Sequence, residues 1–165
     1  MRRWLLLGGA GLVIVGLILF EPWALFQNST VDESLPGPAT SSTAEGNADA
    51  DPGELARGDF VKQEHDTTGV ARVVRLESGA RVLRLENFST TNGPDLHVWL
   101  SEETAGGNWF KYRNARHVAL GALKANNGNQ NYEIPKTAEL DGIRSAVIWC
   151  KRFSVAFGSA PLSLG

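Results

Sequence analysis

The fold of this chain is decided by residues 95–101, which read DLHVWLS. Successive side chains of a β-strand point to opposite sides, so the two leucines and the valine share one face, while His97 and Trp99 share the other. Alternation with a period of two is typical of a strand that buries one face. The stretch therefore predicts a half-buried strand with apolar residues on its core side.

The same pattern extends over the sequence on both sides of this strand. From Gly58 onward, alternating or short apolar runs are broken every eight to twelve residues by turn signals such as Ser78-Gly79. That spacing is typical of a β-sandwich or barrel, and no stretch after residue 57 has helical periodicity over eleven residues. We therefore predict an all-β fold, a small antiparallel β-sandwich-like domain.

Strand positions follow from the apolar runs and the turns between them. Turns are predicted at residues 67–69, 78–79, 91–94 and 126–129, and a single helical turn at residues 137–140. The predicted strands are residues 60–65, 70–76, 80–85, 95–101, 117–123, 131–134, 146–150 and 153–157.

An apolar segment at the N-terminus predicts a membrane anchor over residues 1–26. After Arg2 and Arg3, residues 4–20 carry no charge, and residues 22–26 extend the apolar run. Residues 4–20 would span roughly 26 Å as a helix, so the extension completes a hydrocarbon core of about 30 Å. A cleaved signal peptide is the alternative, but the small-residue cleavage pattern is missing. We expect one uncleaved transmembrane helix in the cell membrane, with the arginines cytoplasmic and the domain extracytoplasmic.

A polar segment separates the predicted anchor from the predicted domain. Residues 27–57 are acidic and rich in Ser, Thr, Pro and Gly, with Val31, Leu35 and Leu55 as their only large apolar residues. Such a segment buries too little apolar surface to offset its ordering entropy. We therefore predict a disordered tether over residues 27–57, without a fixed position for residues 30–55, and a domain over residues 58–165.

Charge and missing motifs narrow the class of function. The net charge of −2 gives no reason to expect nucleic acid as a partner. The chain has no nucleophile elbow, phosphate loop, Cys-x-x-Cys or zinc-protease motif, and its single cysteine excludes both an internal disulfide and a dithiol mechanism. An electron-transfer or binding module is therefore favoured over a stand-alone enzyme.

Cys150 is the residue most able to carry chemistry, and two interpretations of it remain open. A free cysteine is often a small buried core residue. A thiolate is also a soft metal ligand and a one-electron redox centre, so Cys150 could act as a redox thiol or bind haem iron or another metal ion. A functional thiolate must be reachable, so the second interpretation predicts reaction of native Cys150 with a small alkylating reagent.

His97 is the second candidate ligand, because histidine is the commonest metal ligand among side chains. A lone histidine on a strand is, however, more often a surface or packing residue. Trp99, Trp109 and Trp149 are interpreted as packing residues.

Four stretches together resemble the electron-transfer DM-thirteen domain family. They are LRLENF at 83–88, NGPDLHVWLS at 92–101, GNQNYEIP at 128–135 and VIWCKRFSVAFG at 147–158. The resemblance runs over about residues 58–165. It implies a small β-sandwich-like surface module whose family cysteine corresponds to Cys150, with a redox role as a bare thiol or through a group such as haem. Because the domain stands alone here, it also implies a separate redox protein as the electron partner.

Two functions from different classes follow. The first is a membrane-anchored extracytoplasmic electron-transfer module in which Cys150 is the functional residue. The second is a non-catalytic cell-surface binding or adhesion module, in which Cys150 belongs to the core and the loops around Gly93 and Gly106 contact a ligand.

Overall fold

A computed structural model describes residues 28–36 and 53–164 of the chain. These residues form ten β-strands and one three-residue 3-10 turn, Lys111–Arg113. The strands are β1 Thr30–Asp32, β2 Glu54–Asp59, β3 Val61–Lys62, β4 Thr67–Arg75, β5 Arg81–Thr90, β6 Leu96–Ser101, β7 His117–Ala122, β8 Asn127–Ile134, β9 Ile143–Cys150 and β10 Val155–Leu164.

The strands form two five-stranded sheets. The first sheet has the order β1-β8-β5-β4-β2, and the second has the order β3-β10-β9-β6-β7. All neighbours are antiparallel except β1 and β8, which run parallel. This arrangement confirms the prediction of an all-β, sandwich-like domain.

One apolar core lies between the two sheets. The first sheet contributes alternate residues of β4 and β5, such as Val73 and Leu83, each with no exposed surface. The second sheet contributes Leu96, Val98 and Leu100 of β6, so the predicted apolar face of residues 95–101 is confirmed. Burial of that face stabilises the packing of one sheet on the other, because apolar surface removed from water contributes roughly 25 cal/mol per Å².

The hairpin predicted at Ser78-Gly79 is confirmed between β4 and β5. The turn predicted at residues 67–69 is wrong, because these residues belong to β4. Gly69 lies at a shift in the register of β4 against β5, so it belongs to a β-bulge. A bulge and a turn share the same local signal, a glycine between polar residues, and only pairing with β5 separates them.

Several strands differ in length from the prediction. Of the strand predicted at residues 60–65 only the two residues of β3 form, because β2 ends before it at Asp59. The last strand extends to Leu164 although Pro161 lies within it. No helical turn forms at residues 137–140. Long-range pairing with neighbouring strands continues strands through segments whose local sequence predicts a turn or an end.

Part of the predicted tether is ordered. Val31 of β1 pairs with Gly128 of β8, and Glu33 forms an ion pair with Lys124 at 2.7 Å. A Cβ atom on Gly128 would lie 2.0 Å from the Val31 carbonyl oxygen, so the glycine permits this close approach. The prediction that residues 30–55 lack a fixed position is therefore wrong for their described parts, including β2. Hydrogen bonds and an ion pair hold the first part, rather than the apolar burial on which the prediction depended.

The predicted transmembrane helix, residues 1–26, lies outside the described residues. Within residues 28–36 and 53–164, no helix is long and apolar enough to cross a membrane.

Candidate functional site

Cys150 lies at the end of β9, in the middle of the second sheet. It pairs with Leu96 of β6 on one side and with Val155 of β10 on the other. Its side chain belongs to the core between the sheets, it is a free thiol, and the residue has no exposed surface. The expectation of a reachable sulfur is therefore not met in the folded domain.

The surroundings of Cys150 do not fit a bound haem or metal ion. The residue is enclosed by apolar core neighbours, and among the described residues no group of three or more His, Cys, Asp and Glu side chains converges on a common point. A metal site needs several converging ligands, and a haem would need a cavity at the sulfur. The surroundings of Cys150 therefore do not support chemistry through a haem or a metal ion at the sulfur.

His97 lies on the opposite face of the same sheet. It pairs with Trp149, and its Nε2 atom lies 2.8 Å from Oδ1 of Asp95. Neighbouring positions of a strand point to opposite faces, so Trp149 and Cys150 diverge. The structure therefore does not bring the two predicted ligands, Cys150 and His97, to a common site.

A stack of three rings occupies the outer face of the second sheet. The ring centroids of Trp99 and Trp149 are 4.8 Å apart, and those of Trp99 and His117 are 3.9 Å apart with nearly parallel planes. Both tryptophans are buried, whereas His117 is exposed. The packing interpretation of Trp99 and Trp149 is confirmed, and the stack extends from the surface into the sheet.

Tyr112 packs with Trp99 and Trp149 and covers them on the outer side of the second sheet. It has no exposed surface, and its hydroxyl donates to the Thr104 carbonyl oxygen at 3.0 Å and lies 3.1 Å from Oγ of Ser159. Burial raises the pKa of Tyr112, so the phenol stays neutral. Together with Trp99, Trp149, Val147 and Ala156 it forms a small second core that keeps water from the tryptophans.

The indole N–H of Trp99 is buried and has no hydrogen-bond partner among the described residues. A buried donor without a partner costs free energy, so most native structures avoid one. The stacking arrangement is therefore held by ring packing and by the covering loop rather than by a polar anchor on Trp99.

The rings of Trp99 and Trp149 are oxidisable and lie on the face of the second sheet opposite to Cys150, which is the third oxidisable side chain of this region. Trp149 precedes Cys150 on β9, and its ring stacks on Trp99, which in turn contacts the exposed His117. The stack therefore leads from the surface to Trp149, and the backbone of β9 joins Trp149 to the buried thiol of Cys150. Sequence reasoning missed it, although the alternation of β6 does place Trp99 on the outer face.

Two open clefts lie at loops that the binding interpretation uses. One is lined by Gly106 together with Val61, Ile143 and Leu164, and the other is lined by Gly93 together with Asn92 and Asp95.

Comparison with known proteins gives one match. The sequence model of the family described as Electron transfer DM13 matches residues 59–162, which is more than half of the chain. No curated protein and no solved structure matches the chain significantly. The matched residues contain Cys150, the ring stack, strands β3 to β9 and most of β10, whereas β1 and nearly all of β2 precede them. The chain therefore belongs to the Electron transfer DM13 family.

Proposed function

We propose that this chain is a membrane-anchored, extracytoplasmic electron-transfer module in which Cys150 is the redox residue. Membership of the family supports the redox role. The observation that carries the proposal is the unbroken contact of Trp99 with Trp149, the residue next to the buried Cys150. The apolar run and the flanking arginines at residues 1–26 support a single-pass anchor with the domain outside.

The burial of Cys150 decides the kind of redox chemistry proposed. Thiol–disulfide exchange needs direct attack by one sulfur on another, and a residue without exposed surface gives no access for that attack. Transfer of a single electron needs no contact between the sulfur and the partner. A one-electron role is therefore compatible with the packing, whereas dithiol exchange in the folded state is not.

The ring stack supplies the route for that electron. A one-electron oxidant on a separate redox protein, placed at the exposed His117, takes one electron from Trp99. Trp99 recovers it from Trp149, and Trp149 recovers it from Cys150. The Cys150 thiol then loses that electron to Trp149 and one proton to bulk water, and becomes a thiyl radical. Reduction reverses each step.

Flash photolysis of the full-length protein in detergent tests this route. A soluble photo-oxidant such as a ruthenium polypyridyl complex with a sacrificial acceptor generates the tryptophan radical, which is followed by transient absorption. We expect the radical to decay faster in the parent protein than in Cys150→Ala, because the thiol refills the oxidised Trp149. Trp99→Phe should slow the oxidation of Trp149, because it interrupts the stack.

Trp109→Phe is the matched control, because Trp109 is exposed and lies outside the stack. It should leave the decay of the buried radical unchanged. Equal decay in the parent and in Cys150→Ala, with both proteins folded by circular dichroism, would remove Cys150 from the route.

The second candidate is a non-catalytic surface binding or adhesion module. The two clefts at Gly93 and Gly106 favour it, as does the complete burial of Cys150 among core side chains. Under this function Cys150→Ala leaves every radical decay unchanged, while charge changes at the cleft rim, for example Arg144→Glu, alter ligand binding. The same photolysis experiment therefore separates the two candidates.

A further inference from the structure

One end of the sandwich, here called the Cys150 end, brings together the ends of several strands. β5 ends at Thr90, β6 begins at Leu96, and Leu96 pairs with Cys150. The backbone N–H of Lys151 donates to the Asp95 carbonyl oxygen at 3.0 Å. The turn of residues 151–154 therefore lies at this end.

The chain also enters the domain at the Cys150 end. The backbone N–H of Ser29 donates to Oδ1 of Asn126 at 2.6 Å, and Nδ2 of Asn126 donates to Oδ1 of Asn28 at 2.9 Å and contacts the Thr90 carbonyl oxygen at 3.3 Å. The predicted anchor ends at Phe26, two residues before Asn28. With so short a connection, an anchor over residues 1–26 places this end of the sandwich next to the bilayer.

Exposed aromatic and basic residues gather at the same end. Phe153 is 60% exposed, Phe110 is 46% exposed and Trp109 is 37% exposed. The Trp109 carbonyl oxygen accepts from the backbone N–H of Ala156 at 3.0 Å, which holds this loop beside the turn of residues 151–154. Together with three exposed cations they form a group that we call the aromatic–basic surface: Trp109, Phe110, Arg113, Lys151, Arg152 and Phe153.

We propose that the aromatic–basic surface docks on the anionic surface of the bilayer that holds the anchor. This inference rests on the membrane-anchored part of the proposed function. Aromatic side chains favour the membrane interface, and cations next to them are attracted by anionic headgroups. Two observations favour the bilayer as the partner of this surface: the short connection between Phe26 and Asn28, and the positive charge of the surface.

Nearby acidic groups leave the positive charge of the surface in excess. Asp95 contacts His97 at 2.8 Å, and Asp66 forms an ion pair with Lys62 at 3.5 Å. Glu64 is exposed, and its backbone N–H donates to the carbonyl oxygen of Ala156 in β10. The three cations at residues 113, 151 and 152 outnumber the Glu64 carboxylate, which forms no ion pair with another described residue.

Docking would fix the direction of the proposed electron route. His117 pairs with Ser101, the last residue of β6, whereas Cys150 pairs with Leu96, the first residue. His117 therefore lies toward the end of the sheet that is opposite to the docked one. A redox partner in the aqueous phase would reach His117, while the Cys150 end would stay on the bilayer.

Energy transfer from a labelled domain to the bilayer tests the proposal. The full chain is reconstituted in vesicles of phosphatidylcholine with and without phosphatidylglycerol, which also carry an acceptor dye on a headgroup. A donor dye is attached in the folded protein at Thr91→Cys, at the Cys150 end, or at Glu77→Cys, at the opposite end. Both positions are exposed, and the buried Cys150 is the background control.

We expect more transfer from residue 91 than from residue 77, because the ends of a ten-residue strand lie roughly 30 Å apart. Phosphatidylglycerol should raise transfer from residue 91, and added salt should lower it. Lys151→Gln with Arg152→Gln should weaken docking about thirtyfold. Phe153→Ser should weaken it without changing the dependence on salt. The matched control is Lys136→Gln with Arg144→Gln, two exposed cations outside the surface.

The outcomes separate this proposal from the proposed function. A chain that does not float with vesicles would refute both the anchor and docking. A chain that floats, but whose residue 91 transfer is unaffected by lipid charge and by the Lys151 and Arg152 changes, would refute docking alone and assign the surface to a protein partner. Equal radical decay in the parent and in Cys150→Ala, with docking intact, would refute the electron route and leave this inference standing.

Discussion

The first sheet covers its outer face with ion pairs, whereas the second sheet covers its outer face with aromatic rings. On the first, Arg72 contacts Glu54 and lies 3.1 Å from Glu86, which also accepts from Arg84 at 2.7 Å. On the second, Trp99 and Trp149 stack under Tyr112. Both faces arise from alternation in strands whose other face is apolar.

The comparison shows that the same alternation of apolar and other residues can place either charged or aromatic side chains on the outer face of a sheet. Charged side chains can leave a face in contact with water, because their ion pairs remain partly solvated. Large rings need a cover, and the loop of residues 102–116 provides it through Tyr112. Of the two outer faces only the aromatic one is kept from water, so the proposed electron route can follow only that face.

Removing a ring from the aromatic face should lower the stability of the domain more than a change at Cys150 or on the charged face. Trp149→Ala removes a buried ring, so we expect the free energy of unfolding to fall by about 3–5 kcal/mol. Urea unfolding followed by circular dichroism measures this fall. Trp109→Ala is the control and should cost far less, because Trp109 is 37% exposed. Similar losses in the two variants would contradict a second core around Trp149.

Cys150 lies on the inner face of β9, the strand that carries Trp149 on its outer face, and it allows the stability of the two faces to be compared. Cys150→Ser places a hydroxyl among apolar side chains, so we expect a loss of about 1–3 kcal/mol. Cys150→Ala should cost less, because it leaves only a small cavity. Native alkylation of Cys150 should proceed only through local opening and so be suppressed by orders of magnitude relative to denaturant. A native rate near the denatured rate would contradict its burial.

The charged face should show a smaller effect. Glu86→Gln keeps the shape of the side chain but leaves Arg72 and Arg84 without their shared carboxylate. We expect a loss of about 1–2 kcal/mol, as for hydrogen bonds to charged groups. Glu133→Gln, on the exposed part of β8, is the matched control and should be nearly neutral. Chemical denaturation of both variants measures the difference.

The same carboxylates give the first sheet a dependence on pH. Burial alone would raise the pKa of Glu86, but the hydrogen bond from Arg84 and the charge of Arg72 outweigh it, and the pKa is lowered. The hydrogen bond from Lys124, followed by the Asn131 backbone N–H, lowers the pKa of Glu33. Both groups therefore contribute stability above their unfolded pKa of about 4.3, and this contribution is lost as the pH falls below it.

Urea unfolding at pH 7 and at successively lower pH measures this loss. The slope of the unfolding free energy against pH should be shallower in Glu86→Gln than in the parent. Lys124→Gln should have the smallest effect of the series, below about 1 kcal/mol, because its ion pair with Glu33 is exposed. An unchanged slope in Glu86→Gln would contradict the role of Arg72 and Arg84.

Local sequence predicted the elements whose signal lies within a few residues. The alternation of residues 95–101 predicted β6 and its core face, and Ser78-Gly79 predicted the hairpin. The order at residues 28–36 was missed, because it depends on pairing with β8 about a hundred residues away. Backbone hydrogen bonds and polar side chains such as Asn126 hold β1 and the residues beside it, so no local apolar pattern could predict this strand.

Cys150 shows the same division at the candidate site. Its residue type and its family resemblance identified it, but neither could decide whether the sulfur is exposed. That depends on which strands flank β9, and Leu96 and Val155 close it on both sides. His97 was predicted as a second candidate ligand, and strand register places it and Cys150 on opposite faces of the sheet.

The sequence by itself determined the all-β class, the apolar face of β6 and the single thiol, because alternation and composition are local properties. Tertiary structure alone decided that Trp99 stacks on Trp149 and His117, and that Asn28 and the turn of residues 151–154 share one end of the sandwich. The physical reason is that sheet order comes from backbone pairing between distant segments. Such pairing sets which side chains meet, and no window of sequence contains both partners.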